Sequence, residues 1–285
     1  MAAWTDGYWE AADGLKLHYR DYAGGADGRP PILCLPGLTR NARDFAAVAD
    51  RLAGEWRLLC VDLRGRGESA YARDPMTYTP AVYVRDIEGL LAELELERFV
   101  AFGTSLGGML TMLLSSIGPE RIAGALLNDI GPALEHAGLA RIRAYVGKAA
   151  NWPTWLHAAR AIAEGNAPIY PDNALEDWLA MAKRLCKLTP AGRIVYDYDM
   201  RIAEPLRLPN EEPFDLWPAF ESLSGAPVTL LRGALSDLLG EKGVAEMRAH
   251  MPALDVTEVP RVGHTPVLTE PESMAAIDRL LARIA

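Results

Sequence analysis

Gly103-Thr104-Ser105-Leu106-Gly107 sets a serine between two glycines, just after an apolar run that reads as a strand and just before one that reads as a helix. A sharp strand-to-helix turn holds its central residue in strained backbone angles and projects that side chain from the carboxyl edge of a sheet. Glycines two positions to either side let strand and helix approach without colliding side chains. The five letters also arise by chance, and the bland reading is a glycine-rich connection with an idle serine; the placement between strand and helix gives the pattern its weight. A hydroxyl held there becomes a nucleophile once a base takes its proton.

Five histidines are available as that base. His18 falls in an early strand, His136 and His157 fall in a mid-chain helical region, and His250 ends a helix, where a cationic ring suits the dipole. Only His264 follows a late core strand, on the same sheet edge as Ser105. A neutral imidazole there can take the serine proton and return it to a leaving group. Two aspartates are candidates to orient the imidazole. Asp237 follows a strand and precedes His264 by 27 residues, enough for one helix and one strand. Asp129 also ends a strand; as a bystander it would be a supporting carboxylate or a helix cap. The chain order Ser, Asp, His suits either choice. The N–H of Leu106, next after the nucleophile, is a first oxyanion donor.

These residues need a sheet to hold them. Residues 15–22 alternate with period two and predict a half-exposed strand. Residues 31–35 and 56–62 are near-continuous apolar runs, as expected of strands buried on both faces. Between them Phe45, Val48, Ala49 and Leu52 mark a helix, with Asn41 placed to cap it. The unit repeats with a helical stripe at Tyr83, Ile87, Leu90, Leu91 and Leu94, a strand over 98–103, a helix over 106–116 and a strand over 122–128. From Gly131 to about Phe214 the pattern turns helical, with Trp152, Trp155 and Trp178 and many prolines. Strands over 227–232 and 254–259 and helices over 241–250 and to the end then resume the rhythm. The fold predicted is α/β, a mostly parallel central sheet flanked by helices. Its core comprises 1–130 and 215–285, interrupted by a helical cap over 131–214 that has the length of a small domain rather than a loop.

The 285 residues carry a net charge of −9 and include 29 Lys and Arg against 38 Asp and Glu. No basic face suited to nucleic acid is expected from them. No run approaches a membrane span, and the first residues lack the basic start and apolar core of a signal peptide. Cys34, Cys60 and Cys186 make neither a disulfide framework nor a metal pattern. A cytoplasmic protein with no metal and no organic cofactor is expected.

Four further segments, with the serine turn, resemble the α/β-hydrolase family over nearly the whole chain. Leu35-Pro36-Gly37-Leu38 looks like the family's oxyanion turn, which implies Leu38 as the second backbone donor. Many relatives have His-Gly where Pro36-Gly37 stands here, so a familiar supporting imidazole is missing. Asp62 to Ser69 (DLRGRGES) looks like the family's Asp-x-Arg-Gly-x-Gly-x-Ser loop, with Arg64 and Arg66 as braces. Leu231 to Asp237 looks like the acid-bearing end of the penultimate strand and favours Asp237, although some relatives take their acid from the position of Asp129. Val262-Gly263-His264 looks like the histidine loop.

The activity this implies is hydrolysis of a small carboxylic ester or lactone with an apolar portion, through an acyl-enzyme on Ser105. Carbon–carbon bond hydrolases use the same triad and remain an alternative, as does a non-catalytic ligand receptor on this fold. Dehalogenases and epoxide hydrolases carry aspartate at the turn, so Ser105 argues against them. Arg40, just past the oxyanion turn, is a candidate for an anionic part of the substrate or else a solvated residue before a helix cap. Trp152, Trp155 and Trp178 are candidates for pocket walls or else for cap core.

Overall fold

The computed structural model describes residues 1–25, 28–208 and 215–284. Eight strands form one sheet: β1 (Thr5–Glu10), β2 (Lys16–Tyr22), β3 (Ile32–Leu35), β4 (Leu58–Asp62), β5 (Phe99–Thr104), β6 (Ile122–Asn128), and the late pair Val228–Gly233 and Asp255–Val259. In space the order is β1, β2, β4, β3, β5, β6, then the two late strands. β1 and β2 pair antiparallel, β2 meets β4 antiparallel, and every later pairing is parallel. β3, β4, β5 (but for its last residue) and β6 are buried throughout, as their unbroken apolar runs require.

β1 has no counterpart in the sequence reading. Most of its residues are exposed, so an edge strand held by backbone pairing leaves little apolar pattern to read.

Helices cover both faces. α1 (Ala46–Leu52) is preceded by a short 3₁₀ turn over Ala42–Phe45, and the side chain of Asn41 accepts from the Arg43 N–H, the expected cap. α2 (Pro80–Glu93) starts at a proline, which suits a first turn that needs no N–H. α3 (Leu106–Ile117) follows the serine turn. One core packs α2 and α3 against the sheet, with Tyr83, Ile87, Leu90 and Leu110 among its members. The other face is closed by Phe45 of the 3₁₀ turn, by Val48 and Leu52 of α1 and by Ile277 and Leu280 of the last helix.

The insertion between β6 and the penultimate strand holds α4 (His136–Tyr145), α5 (Trp155–Asn166) and α6 (Leu175–Leu185). It also holds what the helical reading lacked, a small antiparallel sheet of β7 (Asn151–Trp152), β8 (Cys186–Leu188) and β9 (Ile194–Tyr196). Strands of two or three residues are too short to show a period. The expected end of the insertion, near Phe214, lies outside the described residues. α7 (Trp217–Glu221) then leads into β10 (Val228–Gly233), α8 (Glu241–His250), β11 (Asp255–Val259) and α9 (Pro271–Leu281).

The insertion is tied to the sheet edge at several points. The Arg43 guanidinium pairs with Asp197 at 2.6 Å, the Asp199 N–H donates to the Gly65 carbonyl, and Arg141 on α4 grips Asp237 beyond β10. No helix among the described residues is long and apolar enough to cross a membrane.

Candidate active site

Ser105 sits at φ 52°, ψ −113°, between the last residue of β5 and the first of α3. That angle is costly for a residue with a Cβ, and the tight packing around the turn enforces it. A Cβ on Gly107 would lie 1.9 Å from the Leu35 carbonyl oxygen, and one on Gly103 would lie 2.5 Å from the Gly107 oxygen. Only glycine lets α3 cross β3 and β5 this closely. The Ser105 N–H donates to the Asn128 carbonyl, which fixes the turn to the end of β6.

The Ser105 hydroxyl donates to His264 Nε2 at 2.9 Å. The loop carrying His264 is held from both sides: Asn128 Nδ2 donates to the Pro266 carbonyl, and the Tyr170 hydroxyl of the insertion donates to the Thr265 carbonyl. The Gly263 N–H donates to the Ile169 carbonyl.

The second ring nitrogen corrects the sequence reading. His264 Nδ1 donates to Asp129 Oδ2 at 2.7 Å. No hydrogen bond joins it to Asp237, whose two oxygens instead accept from Arg141 Nε and Nη2 at 2.6 and 2.7 Å. That guanidinium also holds the Asp237 carboxyl below its usual range. The reason is the register. β6 and β10 pair with Asn128 opposite Leu231, so Asp129 stands beside the end of β10 and faces across it. Asp237 lies four residues past the end of β10, in a turn that meets α4.

Asp129 is fully buried and adopts φ 55°. Its Oδ1 accepts from the Gly233 N–H at 2.8 Å, and its Oδ2 accepts from the Ser236 hydroxyl at 2.6 Å as well as from His264. Three donors converge on one carboxylate, which fixes its orientation.

Leu106 opens α3, so its N–H lies in the first turn, where no helical carbonyl is available. The turn bearing Leu38 lies alongside: a Cβ on Gly37 would be 3.8 Å from the Ser105 Cβ. Arg66 Nε donates to the Leu38 carbonyl at 2.9 Å, and its Nη1 donates to the Arg64 carbonyl and the Tyr83 hydroxyl. Arg64 forks onto Asp86 of α2. Both arginines brace, as expected. The contact from Arg66 to the Leu38 carbonyl carries no signal in the sequence beyond the loop motif itself.

Ser105 and His264 open into a cavity of about 1590 Å³ between sheet edge and insertion. Arg40 lines it, but Trp152, Trp155 and Trp178 do not. The three tryptophans pack within the insertion's own core: Trp178 lies edge-on to Tyr170, and Trp152 edge-on to Tyr196. An amphipathic helix in a three-helix insertion buries its largest rings against its neighbours first. The aromatic walls are Tyr145, Tyr170, Tyr196 and Tyr198 of the insertion, with Tyr78 and Tyr83. Burial pushes the Tyr196 and Tyr198 phenols up to about 12, so they stay protonated at neutral pH.

Of the other histidines, His18 on β2 is buried between Asp62 (2.7 Å) and Asp6 (3.0 Å). His157 pairs with Thr154 and His250 with Glu221. His136 touches the cavity.

A strained serine, a histidine within hydrogen-bond reach and a buried carboxylate behind it form a set able to relay a proton during acyl transfer. The chain belongs to the alpha/beta hydrolase family, whose model matches residues 32–277, and it is a hydrolase. It is 34% identical to the 3-hydroxybutyrate-oligomer hydrolase of Cupriavidus necator, over 91% of this chain and 90% of that one. An alpha/beta hydrolase of known structure from Novosphingobium aromaticivorans is 54% identical, covers 99% of both chains and superposes with a TM-score of 0.95. The 2-(acetamidomethylene)succinate hydrolase of Mesorhizobium japonicum is 25% identical over 88% of this chain and 85% of its own.

Proposed function

We propose that this hydrolase cleaves carboxylic esters through Ser105, His264 and Asp129, with the N–H groups of Leu38 and Leu106 as oxyanion donors. The observation that carries the reading is the continuous hydrogen-bonded line from the Ser105 hydroxyl through His264 to Asp129, at 2.9 and 2.7 Å. In the first half-reaction His264 Nε2 takes the serine proton as Oγ attacks the ester carbonyl. Asp129 stabilises the imidazolium that forms, and the two amides stabilise the oxyanion. Collapse expels the alcohol, which leaves with the proton from Nε2. Water deprotonated by the same nitrogen then releases the acid from Ser105.

The 131–214 insertion acts as a cap over this chemistry. Its tyrosines and the apolar side chains of Met109, Leu113 and Ile142 wall the cavity, which suits a substrate with an apolar portion. The relative that hydrolyses 3-hydroxybutyrate oligomers supports an ester over a lactone. Turnover of short p-nitrophenyl esters, with a burst equal to one acyl group per chain, tests the reading. Absence of both burst and turnover in folded protein refutes it.

A further inference from the structure

Acidic residues outnumber basic ones 38 to 29 in the chain, yet the cavity reverses that balance. Its described lining includes Arg40, Arg85, Arg141, Arg143 and Lys148 and not one Asp or Glu. Arg85, Arg143 and Lys148 are exposed, at positions suited to drawing an anion toward the site. Arg141 is neutralised by Asp237. Arg40 differs from all of these. Its stem runs beside the nucleophile: the point a Cβ on Gly37 would occupy is 3.2 Å from the Arg40 Cγ and 3.8 Å from the Ser105 Cβ. Asp44 accepts from Arg40 Nε and Nη2, the latter at 2.7 Å, and the same carboxylate lies 3.7 Å from the Arg184 guanidinium. Two guanidinium groups thus share one carboxylate, so the Arg40–Asp44–Arg184 cluster carries a net positive charge where Arg40 lines the cavity. Asp44 also holds the fork in place, so Arg40 can meet an anion without first losing rotamer freedom.

We propose that the site is selective for esters carrying a free carboxylate a few bonds from the scissile carbonyl, and that Arg40 receives that carboxylate. This rests on the ester-hydrolase reading and adds the charge of the substrate to it. An uncharged ester fills the apolar walls equally well but leaves the surplus charge of the Arg40–Asp44–Arg184 cluster unbalanced, so discrimination falls on the ionic contact. The carboxylate belongs to either the alcohol or the acyl side, and two probe pairs separate these: 3-acetoxybutyrate against 3-acetoxybutyramide, and monoethyl succinate against ethyl succinamate. Within each pair only the charge changes.

For at least one pair, kcat/KM of the purified full-length protein should favour the acid by roughly 10- to 100-fold, chiefly through KM, as one charge-assisted contact provides. Arg40→Gln should bring that ratio to about one, and Arg40→Lys should leave an intermediate value, since a point charge replaces the fork. A residue that merely supported the fold would lower acid and amide together and leave the ratio alone. Equal use of acid and amide in both pairs by the wild type overturns the proposal, as does a ratio that survives Arg40→Gln. Should that variant fail to fold, an unchanged ratio in Arg40→Lys overturns it instead. Hydrolysis of p-nitrophenyl acetate without any of the four probes overturns the charge preference alone; loss of p-nitrophenyl acetate turnover as well overturns the hydrolase reading beneath it.

Discussion

Asp129→Asn isolates the role of the carboxylate because almost everything else is preserved. Asparagine is isosteric and tolerates the φ of 55° found at this position. The amide, however, cannot satisfy all three donors that Asp129 now accepts. With its oxygen on the Gly233 N–H, its NH₂ group faces His264 Nδ1. The ring must then accept there and carry its proton on Nε2, where it opposes the Ser105 hydroxyl instead of receiving its proton. The flipped amide restores the working tautomer but sets NH₂ against the Gly233 N–H, a buried mismatch costing about 1–3 kcal/mol. Either way the imidazolium of the transition state loses its counter-charge, worth about 4 kcal/mol for unit charges 4 Å apart at an effective dielectric constant near 20. At about 1.4 kcal/mol per decade, these terms place the loss in kcat at roughly 10³-fold, within the range of about 10² to 10⁴ for this change in a serine triad. Asp237→Asn removes a partly exposed ion pair with Arg141 and should stay within about tenfold. Steady-state and burst kinetics on p-nitrophenyl acetate read both variants, with circular dichroism and thermal midpoint as controls on folding. If Asp237→Asn loses three decades while Asp129→Asn stays within tenfold, the orienting role belongs to Asp237 and the reasoning from hydrogen-bond geometry fails.

Ser105→Ala should lower turnover by roughly 10⁴-fold or more at an unchanged thermal midpoint, and a fluorophosphonate should label the wild type at Ser105 only; labelling at a second residue would contradict this. Gly107→Ala drives a Cβ into the Leu35 carbonyl and should cost about 3 kcal/mol, read as a fall in thermal midpoint of roughly 5–10 °C; a midpoint within a degree of wild type would mean the turn is looser than described. For His18, burial pushes the imidazole down, but the Asp62 and Asp6 carboxylates push it up further, so its value stands above the ordinary one of 6.5. A raised folded-state value means a stabilisation fully present below about pH 6.5 and lost as pH climbs through the folded value. The excess in midpoint of wild type over His18→Gln should therefore shrink from pH 6 toward pH 9, and an excess that is constant or grows would rule the ion pairs out as its source.

The local chemistry of the chain was legible without a structure. Gly103, Ser105 and Gly107 specify a turn from any vantage, because strain and close packing act over five residues. His264 stood out from four other histidines because its neighbours place it at a strand end. The parallel core followed from apolar runs at β3, β4, β5 and β6 that admit no other burial. What the tertiary structure decided were choices between residues that are locally equivalent. Asp129 and Asp237 each follow a strand on the same sheet edge. Only the pairing of Asn128 with Leu231 turns the first toward His264, and only the approach of α4 gives the second to Arg141. The pocket walls were decided in the same way. Trp178 and Tyr170 look alike as aromatic residues on an insertion and both are buried, yet of the two Tyr170 alone reaches the cavity, where its hydroxyl donates to the Thr265 carbonyl. A sequence records which side chain is able to act. Which of two able side chains does so depends on directions that only contacts between distant segments define.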